Sequence, residues 1–282
     1  MENLNRNAAA LPPAQLFDLE SQRALDNMMS EATDVLRRLD VSDELMAHVH
    51  KRRGWTRKLY PTSGWIRDPE LRLLVGTATS MHCLGITLLD DVIDADTALS
   101  NRELMAGTEV CVRAYELMAR KDVLPLFLAD YTDEWLPIWK HVMKEPITDI
   151  FDLGAWERTA AIKAGDIIAF YARFSLAVAG REQEFRILQQ VFRAMGVIFT
   201  VLNDYLARDR PTEAHSNLFA LMQTGRIDRT DVIAMMDDHF DKFERALASV
   251  PPEFDFSEPL TGTYHRFRDM LVDGNFVETP KP

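Results

Sequence analysis

The sequence predicts an all-α chain, one domain of about ten helices around a wide apolar interior. Three observations carry that prediction. Apolar residues recur at helical spacing along most of the chain, and no alternating apolar and polar run lasts beyond a few residues. Glycine (12) and proline (13) are too sparse among 282 residues for a turn-rich β fold. Hydrophobic residues at 47% and charged residues at 27% give a globular balance that excludes a disordered chain.

Residues 1–14 read as a leader without the basic start and apolar core of a signal peptide, and the domain takes 15–282. Residues 16–38 carry Leu16, Leu19, Leu25, Met28, Met29, Ala32 and Leu36 at helical spacing, and Ser42 opens a short helix over 42–52. Two glycines and Pro61 make 51–65 a loop. Asp68-Pro69-Glu70 is a strong helix start: a capping side chain, proline at the first helical position, then an acid in the first turn. That helix should run to about Asp96. Its uncharged stretch, Leu73–Leu89, is shorter than the roughly 20 residues of a membrane span and contains His, Ser and Thr, so a core helix is expected. Ser100 and Glu103 form a capping box for the next helix. Two shorter helices are expected around Pro125 and Pro137 within 122–146. A long helix covers 152–179 and stops at Gly180, and another covers 183–208 and meets Pro211. Helices at 215–224, 228–249 and 258–274 complete the chain.

Charge narrows the function. With 32 basic and 44 acidic residues the net charge is −12, a field that repels a phosphate backbone and excludes nucleic acid as the expected partner. A phosphorylated small molecule would need metal cations here. Cys83 and Cys111 cannot build a disulfide framework and fit a reducing cytoplasm.

The sharpest feature is Leu88-Leu89-Asp90-Asp91-Val92-Ile93-Asp94-Ala95-Asp96, an apolar helix that ends in four carboxylates. Asp90 and Asp94 are four apart and share a face, while Asp91 is turned about 100° away. Like charges on one face repel, and a divalent cation with oxygen preference, Mg2+, relieves the repulsion when substrate phosphates complete its shell.

The run Asp90-Asp91-Val92-Ile93-Asp94 resembles the aspartate-rich signature shared by trans-isoprenyl diphosphate synthases and class I terpene synthases. Ile162-Lys163-Ala164-Gly165 is similar to that superfamily's Lys-Thr-Gly segment, and Phe199 through Asn203-Asp204-Tyr205 to its second metal motif. The segment Leu271–Phe276 resembles the last helix of bacterial terpene synthases. The resemblance implies the isoprenoid-synthase helical bundle and a class I terpene synthase that ionises an allylic prenyl diphosphate. It implies Asp90, Asp91, Asp94, Asn203 and Asp204 as ligands of Mg2+, three ions with the substrate. Asp90, Asp94 and Asn203 are then the catalytic set, and Lys163, Arg158 and Arg210 the diphosphate cations. Arg57 and Lys58 are loosely similar to a basic segment of the prenyl synthases.

Two departures keep other readings open. The Arg-Arg-Gly that follows the first acids in prenyl synthases is reduced to Arg102, which argues against elongation with isopentenyl diphosphate. Positions 207 and 211, where the second motif has its further ligands, are Ala207 and Pro211, with Asp209 and Glu213 nearby. The alternatives are a trans-prenyl diphosphate synthase and a non-catalytic subunit on the same fold. Among the aromatic residues Phe170, Phe174 and Phe199 are expected to line the pocket, because desolvated aromatic faces stabilise cations. In the resembling synthases bulky residues one turn before the first acids floor the pocket. Gly85 and Ile86 stand there, so a C20 substrate is expected ahead of C15. Expected partners are the prenyl diphosphate and, at most, a second copy of the chain.

Overall fold

A computed structural model describes residues 13–53, 59–94, 99–129, 131–144, 150, 152–208, 215–248 and 257–273. The described residues contain helices and no strand, so the all-α expectation holds. The chain divides into two compact units.

The first unit comprises residues up to Ala129 together with Phe174–Gly180. It holds α1 (Pro13–Arg38), α2 (Asp43–Arg52), α3 (Pro69–Asp94), α4 (Asn101–Leu104), α5 (Gly107–Ala119) and α6 (Leu124–Ala129). Local chemistry starts these helices where the sequence places them. Asp68 Oδ1 accepts from the Glu70 and Leu71 amides at 2.9 and 3.3 Å, and Pro69 opens α3. Ser42 caps α2 through the Leu45 amide at 3.2 Å, and Ser100 with Glu103 closes the expected capping box on α4. α3 is the core helix, buried along Val75–Gly85 and packed on α1 and α5. Gly85 and Gly107 bring α3 and α5 into backbone contact: a Cβ at Gly85 would lie 2.6 Å from the Gly107 carbonyl oxygen.

The second unit comprises Asp130–Arg173 and the residues from Arg181 onward. It contains α7 (Leu136–Val142), α8 (Leu153–Ala160), α10 (Phe185–Ala207), α11 (Leu218–Gln223), α12 (Arg229–Leu247) and α13 (Ser257–Asp273). α9 (Ile167–Ala179) begins here, and its last residues count with the first unit. α10 is the core helix of this unit, packed on α12 and on residues 161–166. The helix predicted over 152–179 is continuous but contains a π turn at Ala161–Asp166 between α8 and α9. Gly165 and Gly196 allow this turn to touch α10, since a Cβ on Gly196 would stand 2.5 Å from the Gly165 Cα. The residue at the end of α9, Gly180, takes φ +67, the left-handed conformation that stops a helix.

Two helical stretches, Pro69–Val92 and Glu182–Ala207, are long and apolar enough to cross a membrane. Within their most apolar windows 67% and 56% of residues are buried inside the protein, as core helices require.

Candidate functional site

The acidic end of α3 emerges from the buried core: Leu88 is fully buried, Asp90 half-buried and Asp91 buried again. The 100° step between neighbouring helical residues separates the last two. Asp91 turns toward α2, where His48 Nε2 lies 2.6 Å from Oδ2 and Arg52 Nε donates to the same oxygen at 3.1 Å. Arg52 Nη2 donates to Oδ1, so the guanidinium grips both carboxylate oxygens. The expected metal ligand Asp91 therefore has other partners. A buried carboxylate needs such compensation, and a fork of N–H donors supplies it. Asp94 ends the helix one turn beyond Asp90, and its side chain lies outside the described residues.

The second expected motif sits at the end of α10. Asn203 and Asp204 are half-buried. Asp204 Oδ2 accepts from the Trp156 indole at 2.9 Å and from the Leu218 amide at 2.6 Å. Its backbone oxygen accepts from Asn217 Nδ2 at 2.8 Å, and Asn217 in turn caps α11 through Oδ1. Asp204 thus fastens α8 and the start of α11 to α10. Tyr205 belongs to the core, edge-on to Phe219 and Phe267 at 5.4 Å each.

Lys163 stands half-buried in the π turn, and Arg158 is exposed in the last turn of α8. The wider π turn breaks the α-helical register between Lys163 and the aromatic residues of α9. Phe170 packs with Tyr131, Trp135 and Tyr171 in the second unit. Phe174 lies edge-on to Phe127 at 5.1 Å in the first. Phe199 is buried on α10. Arg57, Lys58, Arg210, Asp209, Glu213 and Gly274–Phe276 lie outside the described residues, as does the side chain of Arg102.

The pocket-floor expectation fails at Gly85. A side chain there would meet Cys111 Sγ at 2.5 Å and the Gly107 carbonyl at 2.6 Å, so the position faces α5 and serves the helix crossing. Its neighbour Ile86 is half-buried. Gly85 therefore gives no room to a C20 chain over a C15 one.

Donor chemistry tests the expected metal. A carboxylate at the end of an apolar helix is the hard oxygen ligand Mg2+ prefers, and one or two carboxylates suffice when substrate phosphates complete the shell. Asp90 fits that description. Among the described residues no three His, Cys, Asp or Glu side chains gather into a metal-binding group.

Sequence reasoning missed His48 and Arg52. They stand four apart on α2 and so share a face, a basic pair pointing one way, but nothing in the sequence names the acid it meets.

No protein-family model matches the chain, and no curated protein matches it in sequence. Solved structures do match in shape. A geranyltranstransferase from Methanosarcina mazei superposes with a TM-score of 0.58 at 14% identity, covering 88% of this chain and 97% of its own. A geranylgeranyl pyrophosphate synthetase from Pyrococcus horikoshii Ot3 gives 0.57 at 13% identity over 92% of this chain and 98% of its own. The geranylgeranyl pyrophosphate synthase of Corynebacterium glutamicum gives 0.54 at 16% identity over 91% and 94%. The chain has the all-α fold of the trans-isoprenyl diphosphate synthases, the fold the sequence resemblance implied.

Proposed function

We propose that the chain is a Mg2+-dependent enzyme acting on an allylic prenyl diphosphate, which it lengthens with isopentenyl diphosphate. One observation supports this reading ahead of terpene cyclisation: solved structures that share its fold over about nine tenths of its length include geranylgeranyl pyrophosphate synthases and a geranyltranstransferase by name. The order of events follows from the chemistry. The allylic C–O bond breaks, diphosphate leaves, the isopentenyl double bond attacks the allylic carbon, and a proton is lost. Mg2+, when bound, supplies the charge that makes diphosphate a good leaving group. Asp90, Asp94 and Asn203 are the residues that would hold it, and Lys163, Arg158 and Arg210 bring cations to the diphosphate. An apolar lining would keep water from the allylic cation.

Terpene synthesis is the second reading, favoured by the loss of basic residues after the first acids, where Arg102 stands alone. A second diphosphate substrate needs cations of its own. Incubation with Mg2+, a C10, C15 or C20 allylic diphosphate and labelled isopentenyl diphosphate separates the two. Label in a longer diphosphate supports elongation. Diphosphate release with a hydrocarbon product and no label uptake supports the synthase. No release from any allylic substrate sinks both and returns the non-catalytic subunit.

A further inference from the structure

We infer that Arg52, assisted by His48, is a positioning residue for the acidic end of α3, acting through Asp91; the inference rests on the reading above. The end of a helix is where the macrodipole disfavours acids, and α3 places Asp90, Asp91 and Asp94 there. Asp91 has a side chain only 4% exposed, and it receives Arg52 on both oxygens and His48 on one. Arg52 lies in the last turn of α2 with His48 one turn before it, so one face of that short helix meets one carboxylate. Two consequences follow from the geometry. One negative charge of the acidic end is neutralised inside the protein, which lowers the repulsion Asp90 and Asp94 would feel. The grip on both oxygens also fixes the rotation of the last turn of α3 about its axis. Asp90 is one residue away, so the direction in which it is presented is set by α2. The functional acid end is thereby held by a contact 39 residues distant in sequence.

The experiment is a Mn2+ titration of the full chain by electron paramagnetic resonance, with inorganic diphosphate present, beside thermal melts. Arg52→Met and Asp91→Asn should each weaken Mn2+ binding by about ten-fold or more, the usual effect of removing a partner that orients a ligand. Arg52→Lys, which keeps the charge and loses the fork, should fall between wild type and Arg52→Met. The double variant Arg52→Met/Asp91→Asn should bind no worse than the weaker single one, because the two act through one contact. A lower Tm with unchanged Mn2+ affinity in Arg52→Met would make the contact merely structural and overturn the assignment. If Arg52→Met does not fold, Arg52→Lys and His48→Gln decide on the same readout: unchanged affinity in both overturns it. A wild-type chain that binds no Mn2+ with diphosphate overturns the functional reading and this assignment with it. A wild type that binds, matched by Arg52→Met, overturns the assignment alone.

Discussion

His82 shows how far burial alone can set a residue's chemistry. It is fully buried on α3, with Nε2 at 3.1 Å from the Tyr115 hydroxyl and Phe127 edge-on to its ring. Loss of solvation pushes its imidazole down from 6.5 to about 3. In the unfolded chain it takes a proton below about 6.5, whereas the folded chain refuses one until about 3. Its neutral burial therefore has no cost above pH 6.5, and stability falls as pH drops from there toward 3, by about 1.4 kcal/mol per pH unit. His82→Gln removes that pH dependence. The wild-type unfolding free energy should lose ground to the variant steadily between pH 6 and 4 in urea titrations, and a flat difference would refute the account. Asp90 makes the contrasting case, a half-buried carboxylate proposed to work and not to hold. Asp90→Ala should abolish diphosphate release while leaving Tm within a few degrees; retained release, measured as inorganic diphosphate, would remove Asp90 from the site. The difference in facing between Asp90 and Asp91 was legible in the sequence because a helix turns by a fixed angle. The partners of Asp91 were not, because a pairing between residues 48, 52 and 91 is decided by packing.

Helix starts were legible for the same reason that caps work: Asp68, Ser100 and Asp228 each bond amides two or three residues on, so the signal is local. The π turn at 161–166 was not. Its hydrogen-bond register depends on how closely α10 approaches, and that depends on Gly196, some thirty residues away. Gly85 misled for a related reason: a glycine in an apolar helix reads equally as room for a ligand and as room for another helix, and here Gly107 takes the space. Gly196→Ala tests the element-scale account. Its Cβ would press on backbone, 2.5 Å from the Gly165 Cα and 2.9 Å from the Ala164 carbonyl carbon, and backbone cannot rotate aside. Separating α10 from the π turn should cost about 2 kcal/mol or more of stability. Urea denaturation of Gly196→Ala at wild-type stability would show that the contact is looser than its geometry states. The same variant should weaken substrate binding through Lys163, which stands in the displaced turn.

For the whole molecule, the order of the acidic motif, the lysine segment and the second acid pair makes the fold legible in the sequence. The partners of Asp91 and Asp204 are not legible there, because they arise from contacts far apart in sequence. The net charge of −12 bears on the final prediction. Such a chain repels free diphosphate, so inorganic diphosphate alone should leave Tm unchanged, and Mg2+ alone should move it little. Together they form the ligand the proposed site takes. At a concentration about 100-fold above the dissociation constant, a ligand that binds only the folded state adds about 2.7 kcal/mol. For a chain of 282 residues that is a rise of roughly 4–5 °C in Tm. Asp90→Ala should lose most of the rise, whereas a surface change such as Arg245→Ala should keep it. A rise equal in wild type and Asp90→Ala would locate the bound diphosphate elsewhere, and no rise in the wild type would remove the prenyl diphosphate reading altogether.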